Sequence, residues 1–188
     1  IENKPKLIAV PTMKTLATVE QSIRMIEAGS EYVRITAPAL KEAINLENIK
    51  NELRKRGYKT PLIADIHFNP AAAEVAARIV EKVRITPGNY ADKRASFIKT
   101  ELSDKEYNEE LERIHKRLLP LINICREHRT VIRIGINHGS LSDRIMTRYG
   151  NTPEGMVQSA MEFIKIFRSI NLRIFMDNIY LVPKVFLR

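Results

Sequence analysis

Tyr32-Val33-Arg34-Ile35 is the first of three short apolar segments that carry an arginine at the same position. The other two are Lys82-Val83-Arg84-Ile85 and Val131-Ile132-Arg133-Ile134, so the arginines lie 50 and 49 residues apart. Each segment has the length and the β-branched content of a buried strand and leads into a turn rich in Pro, Gly, Asn or His. The repeat predicts three parallel strands of one sheet, each presenting one guanidinium group.

The rest of the chain alternates strands with helices, which indicates an α/β domain with a parallel sheet. The predicted strands are Leu7–Val10, Tyr32–Thr36, Pro61–Ile66, Lys82–Thr86, Val131–Ile134 and, less clearly marked, Leu172–Met176. The predicted helices are Thr18–Ala28, Lys41–Arg56, Pro70–Val80, Asp104–His128 and Pro153–Ile170. Thr152 and Ser103 are predicted amino-terminal caps, and Pro120 is expected to kink or split the long helix.

Two architectures fit this alternation, a doubly wound open sheet and a closed (β/α) barrel. Successive strand residues face opposite sides, so Val33 and Ile35 point away from Arg34. In a barrel the branched pair packs under the outer helices, while the arginine faces the lumen near the active-site end. A complete barrel needs about 250 residues. The 188 residues therefore predict an incomplete TIM-type barrel with five or six of eight strands.

Three buried arginines need compensating negative charge, because desolvating an unpaired ion is costly. The planar guanidinium binds phosphate or carboxylate through two hydrogen bonds. One interpretation is that each arginine pairs with an acidic neighbour such as Asp65. Three arginines on one rim with few acids nearby favour the other interpretation, an external anion such as a phosphorylated small molecule.

The turns that follow the strands add further candidates for this site. Gly88 and Asn89 come after Arg84, and a glycine there allows close backbone approach to a phosphate. The third segment is followed by Gly135, Asn137 and His138 in a similar arrangement. Asp65 and His67 are two residues apart and could orient a proton donor on one face of their strand. This Asp-x-His pair has too few ligands to indicate a metal site.

Composition limits the class of partner. The net charge of +9 would suit a nucleic acid, but basic residues are interleaved with acidic ones, as in residues 50–56, and no zinc-finger or RNA-recognition motif is present. Neither an apolar run of membrane-spanning length nor a secretory leader is visible, which predicts a cytoplasmic protein. The single cysteine, Cys125, cannot alone hold zinc or an iron–sulfur cluster.

Three blocks in this order resemble the signature blocks of the 4-hydroxy-3-methylbut-2-enyl diphosphate synthase family of the non-mevalonate isoprenoid pathway. They are Pro61 to Phe68, Val83 to Asn89 and Ile132 to Leu141, within a resemblance that extends from about residue 7 to about residue 170. The segment from Tyr90 to His128 resembles the larger, three-domain form of the family. The resemblance implies that residues 1–188 are a partial barrel domain with a subtype-specific helical segment at about 90–128.

The resemblance also implies an activity, the reductive ring opening of 2-C-methyl-D-erythritol 2,4-cyclodiphosphate in a bacterial cytoplasm. The residues that it implies as diphosphate ligands are Arg34, Arg84, Asn89, Arg133 and Asn137, with Asp65, His67 and His138 as candidate catalytic groups. Electrons are expected from a four-iron four-sulfur cluster on a further domain, fed by a ferredoxin or flavodoxin, in a homodimer. No metal ligand is expected in this chain.

Some positions depart from the family pattern. Thr86 stands where the family usually has asparagine, and the block from Val10 to Thr15 is shorter than expected. Asp177 aligns with a substrate-binding lysine of the family, and that role is not transferred to Lys184. Other phosphate-binding barrel enzymes, such as an aldolase, an isomerase or a pterin-type transferase, remain an alternative. A basic RNA-binding module is a further, weaker alternative.

Overall fold

The computed structural model of the protein describes residues 7–11, 14–90 and 102–170. In chain order the strands are β1 (Leu7–Pro11), β2 (Tyr32–Thr36), β3 (Leu62–Asp65), β4 (Lys82–Ile85) and β5 (Val131–Ile134). The α-helices are α1 (Thr15–Glu27), α2 (Leu40–Lys55), α3 (Pro70–Ala77), α4 (Pro87–Tyr90), α5 (Asp104–His128), α6 (Asp143–Tyr149) and α7 (Pro153–Ser169). A single 3₁₀ turn, His138–Ser140, follows β5.

The five strands form one sheet in the order β1-β2-β3-β4-β5. The pairs from β1 to β4 are parallel, and each successive pair is joined by a helix, as in a βαβ unit. The burial pattern of β2 matches the expected alternation, since Val33 and Ile35 are fully buried and Arg34 is only half-buried. Four parallel strands with intervening helices, in a sheet that β5 extends, agree with an incomplete (β/α) barrel.

The described chain divides into two compact units. The first consists of the residues up to Ile85 together with Leu121–Ile132, and the second of Thr86–Pro120 and the residues from Arg133 onward. The first unit buries the β2, β3 and β4 side chains against apolar residues of α2 and α3, such as Leu46, Leu53 and Ala76. The second unit has its own core, built mainly on α7.

Local signals set most of the helix ends. Ser103 and Glu106 form the predicted capping box, in which the Ser103 amide donates to Glu106 Oε2 at 2.8 Å and the Glu106 amide donates to Ser103 Oγ at 3.3 Å. The Ser103 hydroxyl, which donates to Glu106 Oε2 at 2.7 Å, and the Ser103 amide together lower the pKa of Glu106. Thr152 Oγ1 accepts the Gly155 amide as the cap of α7, and Gly57 ends α2 with a left-handed φ of 86°.

Of the two outcomes expected at Pro120, a kink or a split, the split does not occur, because α5 continues through this residue without a break. Proline removes one backbone donor from a helix. Here that loss is compatible with a helix anchored by buried apolar residues on both sides, among them Leu118, Leu121 and Ile122. The predicted sixth strand, Leu172–Met176, lies outside the described residues, as do Asp177 and Lys184. Within the described ranges, no helix combines the length and the apolar character needed to span a membrane.

Candidate anion-binding site

Asp65, the last residue of β3, is the centre of a charged cluster in the first unit. Asp65 is 4% exposed, and in the strand register it lies directly opposite Thr36 of β2 and Arg84 of β4. The backbone on both sides is held by hydrogen bonds, since the Ala37 amide donates to the Asp65 carbonyl and the Ile66 amide donates to the Arg84 carbonyl, both at 3.0 Å. The sheet therefore fixes where this carboxylate lies.

Arg84 makes the strongest contact with Asp65. Its Nη1 donates to Asp65 Oδ1 at 2.9 Å, and the arginine side chain is only 10% exposed. A charge-assisted hydrogen bond of this length between two buried groups is strong, and breaking it would leave an unpaired buried charge. The interpretation in which an arginine is paired with Asp65 is therefore correct for Arg84.

Arg34 approaches the same carboxylate from β2, but more loosely. Its Nε lies 3.5 Å from Asp65 Oδ2, and this buried nitrogen makes no hydrogen bond within the described chain. The side chain is 29% exposed, about three times the exposed fraction of Arg84. Arg34 is therefore close enough for Coulombic attraction, while its guanidinium remains accessible to a ligand.

His67 and Phe68 lie just beyond the end of β3. His67 Nε2 is 3.7 Å from Asp65 Oδ1, which is beyond hydrogen-bond distance, and its ring meets the Phe68 ring at a centroid distance of 5.8 Å. Asp65 and His67 are thus brought together as predicted. The histidine side chain is 36% exposed and so is accessible to solvent.

The charges of Asp65, Arg34 and Arg84 do not balance. One carboxylate carries a single negative charge, whereas the two guanidinium groups carry two positive charges at any physiological pH. The three side chains together have a net charge of about +1. A partly buried excess of positive charge attracts anions.

The other three predicted ligands belong to the second unit and are described separately. Arg133 is half-buried on β5, Asn89 is half-buried in α4, and Asn137 is exposed immediately before the 3₁₀ turn. The Asn137 amide donates to Ser140 Oγ at 3.2 Å, which shapes this turn. The side chain of His138 is not among the side chains that the structure describes. That all five ligands meet on one diphosphate remains a prediction.

Gly88 has a different structural reason from the one expected. A Cβ atom at this position would lie 2.1 Å from the Ser140 carbonyl oxygen and 2.8 Å from the Ser142 amide nitrogen. The glycine therefore allows the backbone of α4 to pack against residues 140–142, and its close approach to a phosphate stays a prediction. Thr86, in the same unit, is buried with an Oγ1 that has no hydrogen bond to any described group.

Comparison with known proteins identifies the domain. Residues 6–181 match the family model described as "GcpE TIM-barrel domain". The chain belongs to the GcpE barrel-domain family. This result confirms both the family resemblance and the barrel class that the repeated arginine segments predict.

Curated relatives of this GcpE domain carry the name 4-hydroxy-3-methylbut-2-en-1-yl diphosphate synthase (flavodoxin). The protein of Parabacteroides distasonis is 61% identical over 162 residues, which are 86% of this chain and 26% of the relative. The proteins of Akkermansia muciniphila and Leptospira interrogans are 52% and 51% identical, over 88% and 87% of this chain and 28% and 25% of their own lengths. The chain thus spans about a quarter of the relatives that it matches.

The described part of this GcpE domain contains no set of ligands for a metal cluster. No group of three or more His, Cys, Asp or Glu side chains able to hold a metal ion occurs in residues 7–11, 14–90 and 102–170. Cys125 is buried on α5, and burial raises the pKa of its thiol to about 12. A thiol that resists deprotonation is a poor cluster ligand. These residues do not fit an iron–sulfur cluster.

Sequence reasoning missed two features of the domain. Phe68 is exposed beside His67, and the signal that could have identified it is an aromatic residue directly after the Asp-x-His pair at a strand end. The second feature is a buried cluster of Tyr107, Arg144 and Glu162 in the second unit. No local pattern marks this cluster, because its members come from three helices, with Arg144 18 residues and Tyr107 55 residues from Glu162.

Proposed function

We propose that this chain is the substrate-binding barrel domain of an iron–sulfur reductase of the non-mevalonate isoprenoid pathway. The reductase converts 2-C-methyl-D-erythritol 2,4-cyclodiphosphate into (E)-4-hydroxy-3-methylbut-2-enyl diphosphate. The observation that carries the proposal is the pair of arginines that share one carboxylate at the ends of neighbouring strands. The names of the relatives support the choice of ligand, since they specify a diphosphate.

In this proposal the residues of the chain bind and orient the diphosphate. Arg34 and Arg84 supply positive charge from the first unit, while Arg133, Asn89 and Asn137 supply further donors from the second. Positive charge and preorganised donors next to the diphosphate stabilise the negative charge that develops when its oxygen leaves carbon. Asp65 holds the arginines in place, and His67 or His138 is the candidate proton donor for the hydroxyl that departs as water.

Electron transfer is assigned to other parts of the natural-length protein. A four-iron four-sulfur cluster, when bound, would supply the electrons for the ring opening, and the buried Cys125 of this chain would not serve as one of its ligands. A flavodoxin is the proposed electron donor, because the relatives carry that word in their names. A homodimer in the bacterial cytoplasm completes the proposal.

Calorimetry on the natural-length protein tests the anion site. We expect inorganic diphosphate and the cyclic diphosphate substrate to bind the wild type. Arg133→Ala should weaken both by about 2 kcal/mol, roughly 30-fold, if the arginine makes charge-assisted hydrogen bonds to the ligand. Arg168→Ala is the matched control, because Arg168 is an exposed arginine near the end of α7 in the same unit. Unchanged affinity in Arg133→Ala contradicts the assigned role.

Reconstitution tests the redox assignment. The natural-length protein, supplied with iron and sulfide without oxygen, should develop a broad visible absorption band that is lost on addition of a reductant. A protein that binds diphosphate but shows no such band would instead be a phosphate-binding barrel enzyme of another reaction class. Binding to RNA that falls steeply with salt, without diphosphate binding, would indicate the nucleic-acid alternative.

A further inference from the structure

Phe68 is a large apolar side chain held in an exposed position. It is 54% exposed, although phenylalanine is among the residues most often found inside proteins. The short link that carries it is anchored at both ends. Asp65 ends β3 on one side, and on the other Asn69 caps α3 by accepting the Ala72 amide at 3.2 Å, with Pro70 as the first helical residue. The exposure of Phe68 is therefore a property of a well-anchored link.

A continuous series of contacts connects this ring with the charged cluster. The Phe68 ring lies 5.8 Å from the His67 ring at an angle of 48°, His67 Nε2 lies 3.7 Å from Asp65 Oδ1, and Asp65 binds Arg84. Phe68 thus borders the anion site at its apolar edge. The other exposed aromatic residue of the first unit with a described contact is Tyr32, whose ring is already covered by the Lys82 amino group at 5.0 Å.

If Arg34 binds the diphosphate group of a ligand, the organic part of that ligand would extend away from the guanidinium groups. The relatives are named for a diphosphate whose branched carbon chain carries a methyl group and a hydroxyl, so this part of the ligand offers hydrocarbon surface beside a polar group. Aromatic rings bury a large area and pack favourably against hydrocarbon groups. A ring that lies beside the anion site, and that is 54% exposed among the described residues, has the chemistry to receive that carbon chain.

We propose that Phe68 is a specificity-determining residue that packs against the carbon skeleton of the organic diphosphate. The inference rests on the proposed function, because it takes the diphosphate to bind at Arg34 and Arg84. The proposed role of Phe68 adds an apolar contact surface to the site, next to the positively charged arginines. Phe68 should therefore distinguish an organic diphosphate from inorganic diphosphate, which has no carbon atoms.

The test compares two ligands on the natural-length protein by calorimetry. For Phe68→Ala we expect the affinity for inorganic diphosphate to stay within twofold of the wild type, and the affinity for 2-C-methyl-D-erythritol 2,4-cyclodiphosphate to fall about tenfold. Phe68→Leu should give a loss between these values, because leucine restores part of the apolar contact. Val157→Ala is the control for removal of an exposed apolar side chain, since Val157 lies on α7 in the other unit.

Three other results of the calorimetry would contradict the inference. An equal loss for both ligands would show that Phe68 acts on the anion site through His67, and it would overturn the inference. Unchanged affinity for the cyclic diphosphate in Phe68→Ala would also overturn it, while binding of both ligands by the wild type leaves the proposed function intact. A wild type that binds neither ligand would refute the proposed function and the inference together. Thermal unfolding of both variants should match the wild type, because the ring is exposed.

Discussion

Each compact unit contains a buried carboxylate that faces arginine, and the two carboxylates are satisfied differently. Glu162, on α7 of the second unit, accepts hydrogen bonds from Arg144 at 2.5 Å to Oε2 and 3.3 Å to Oε1, and the Tyr107 hydroxyl donates to Oε1. All three side chains are buried. Burial, with the hydrogen bond to Glu162, raises the pKa of Tyr107, so this donor stays protonated.

Asp65, in the first unit, has one tight partner and two loose ones. Arg84 is at 2.9 Å, whereas Arg34 and His67 are at 3.5 Å and 3.7 Å and are both partly exposed. At Glu162 the two carboxylate oxygens are saturated by side chains that water barely reaches. A closed cluster of this kind joins helices, whereas the open cluster at Asp65 leaves the guanidinium of Arg34 partly exposed.

The largest expected effect is at the closed cluster. Replacing Arg144 by Met removes the charge while keeping an apolar side chain of similar length, and it leaves Glu162 as an uncompensated buried carboxylate. We expect the free energy of unfolding to fall by about 3–5 kcal/mol, measured by urea denaturation. The affinity for inorganic diphosphate should be unchanged below the unfolding transition. A loss below about 1 kcal/mol would show that the cluster does not join the helices of its unit.

Arg84→Met should have the next largest effect, because Asp65 loses its closest partner but keeps Arg34 nearby. We expect a loss of about 2–3 kcal/mol in the free energy of unfolding, together with weaker diphosphate binding. Urea denaturation and calorimetry measure the two quantities. A variant as stable as the wild type would remove the distinction between a tight and a loose partner of Asp65.

Arg34→Met should separate binding from stability. The 3.5 Å contact of a partly exposed side chain predicts a change of less than about 1 kcal/mol in the free energy of unfolding. The affinity for inorganic diphosphate should fall by about 2 kcal/mol, roughly 30-fold, since Arg34 is the more accessible guanidinium. Equal stability losses in the Arg34 and Arg84 variants would contradict the proposed division of roles.

The smallest effect is expected at Glu81, a third carboxylate that is more exposed than the other two. Burial raises its pKa, but hydrogen bonds from the Leu62 amide at 2.7 Å and from Lys50 outweigh burial and lower the pKa overall. A lowered folded-state pKa stabilises the protein above the ordinary carboxylate range, near pH 4.3, and this contribution is lost as the pH falls through the folded-state value.

Glu81→Gln therefore tests the pH dependence. We expect the wild type to exceed the variant in the free energy of unfolding at neutral pH, and the difference to shrink on acidification toward pH 3. Solvent screening limits the difference to about 1 kcal/mol. Urea denaturation at pH 7, 5 and 3.5 measures it, and a difference that grows on acidification would contradict the assigned sign.

Much of the fold followed from local sequence patterns. The bounds of β2, β5 and α5 agree with the expectation, and caps such as Ser103 and Thr152 lie where their side-chain chemistry predicts. The exception at Pro120 has a physical reason, since buried neighbours on both sides are compatible with a helix that propensity alone would interrupt. Propensity describes isolated segments, and packing can override it.

For the site, residue types were predictable but their roles were not. Asp65, His67, Arg34 and Arg84 were all identified from strand ends, and the structure places them together. The unequal partnership of the two arginines could not be foreseen, because their local sequences are nearly the same. Gly88 was predicted to allow phosphate approach on similar grounds, and the backbone packing that it also allows could not be foreseen, because residues 140–142 are distant in the sequence.

The amino-acid sequence by itself determined the alternation of strands and helices, the family, and the placement of arginines at strand ends, because these depend on apolar periodicity and on residues that are adjacent in the chain. Only the tertiary structure decided that Asp65 binds Arg84 tightly and Arg34 loosely. That choice depends on the register between strands, which brings together side chains 19 residues apart, and on how much water reaches each guanidinium.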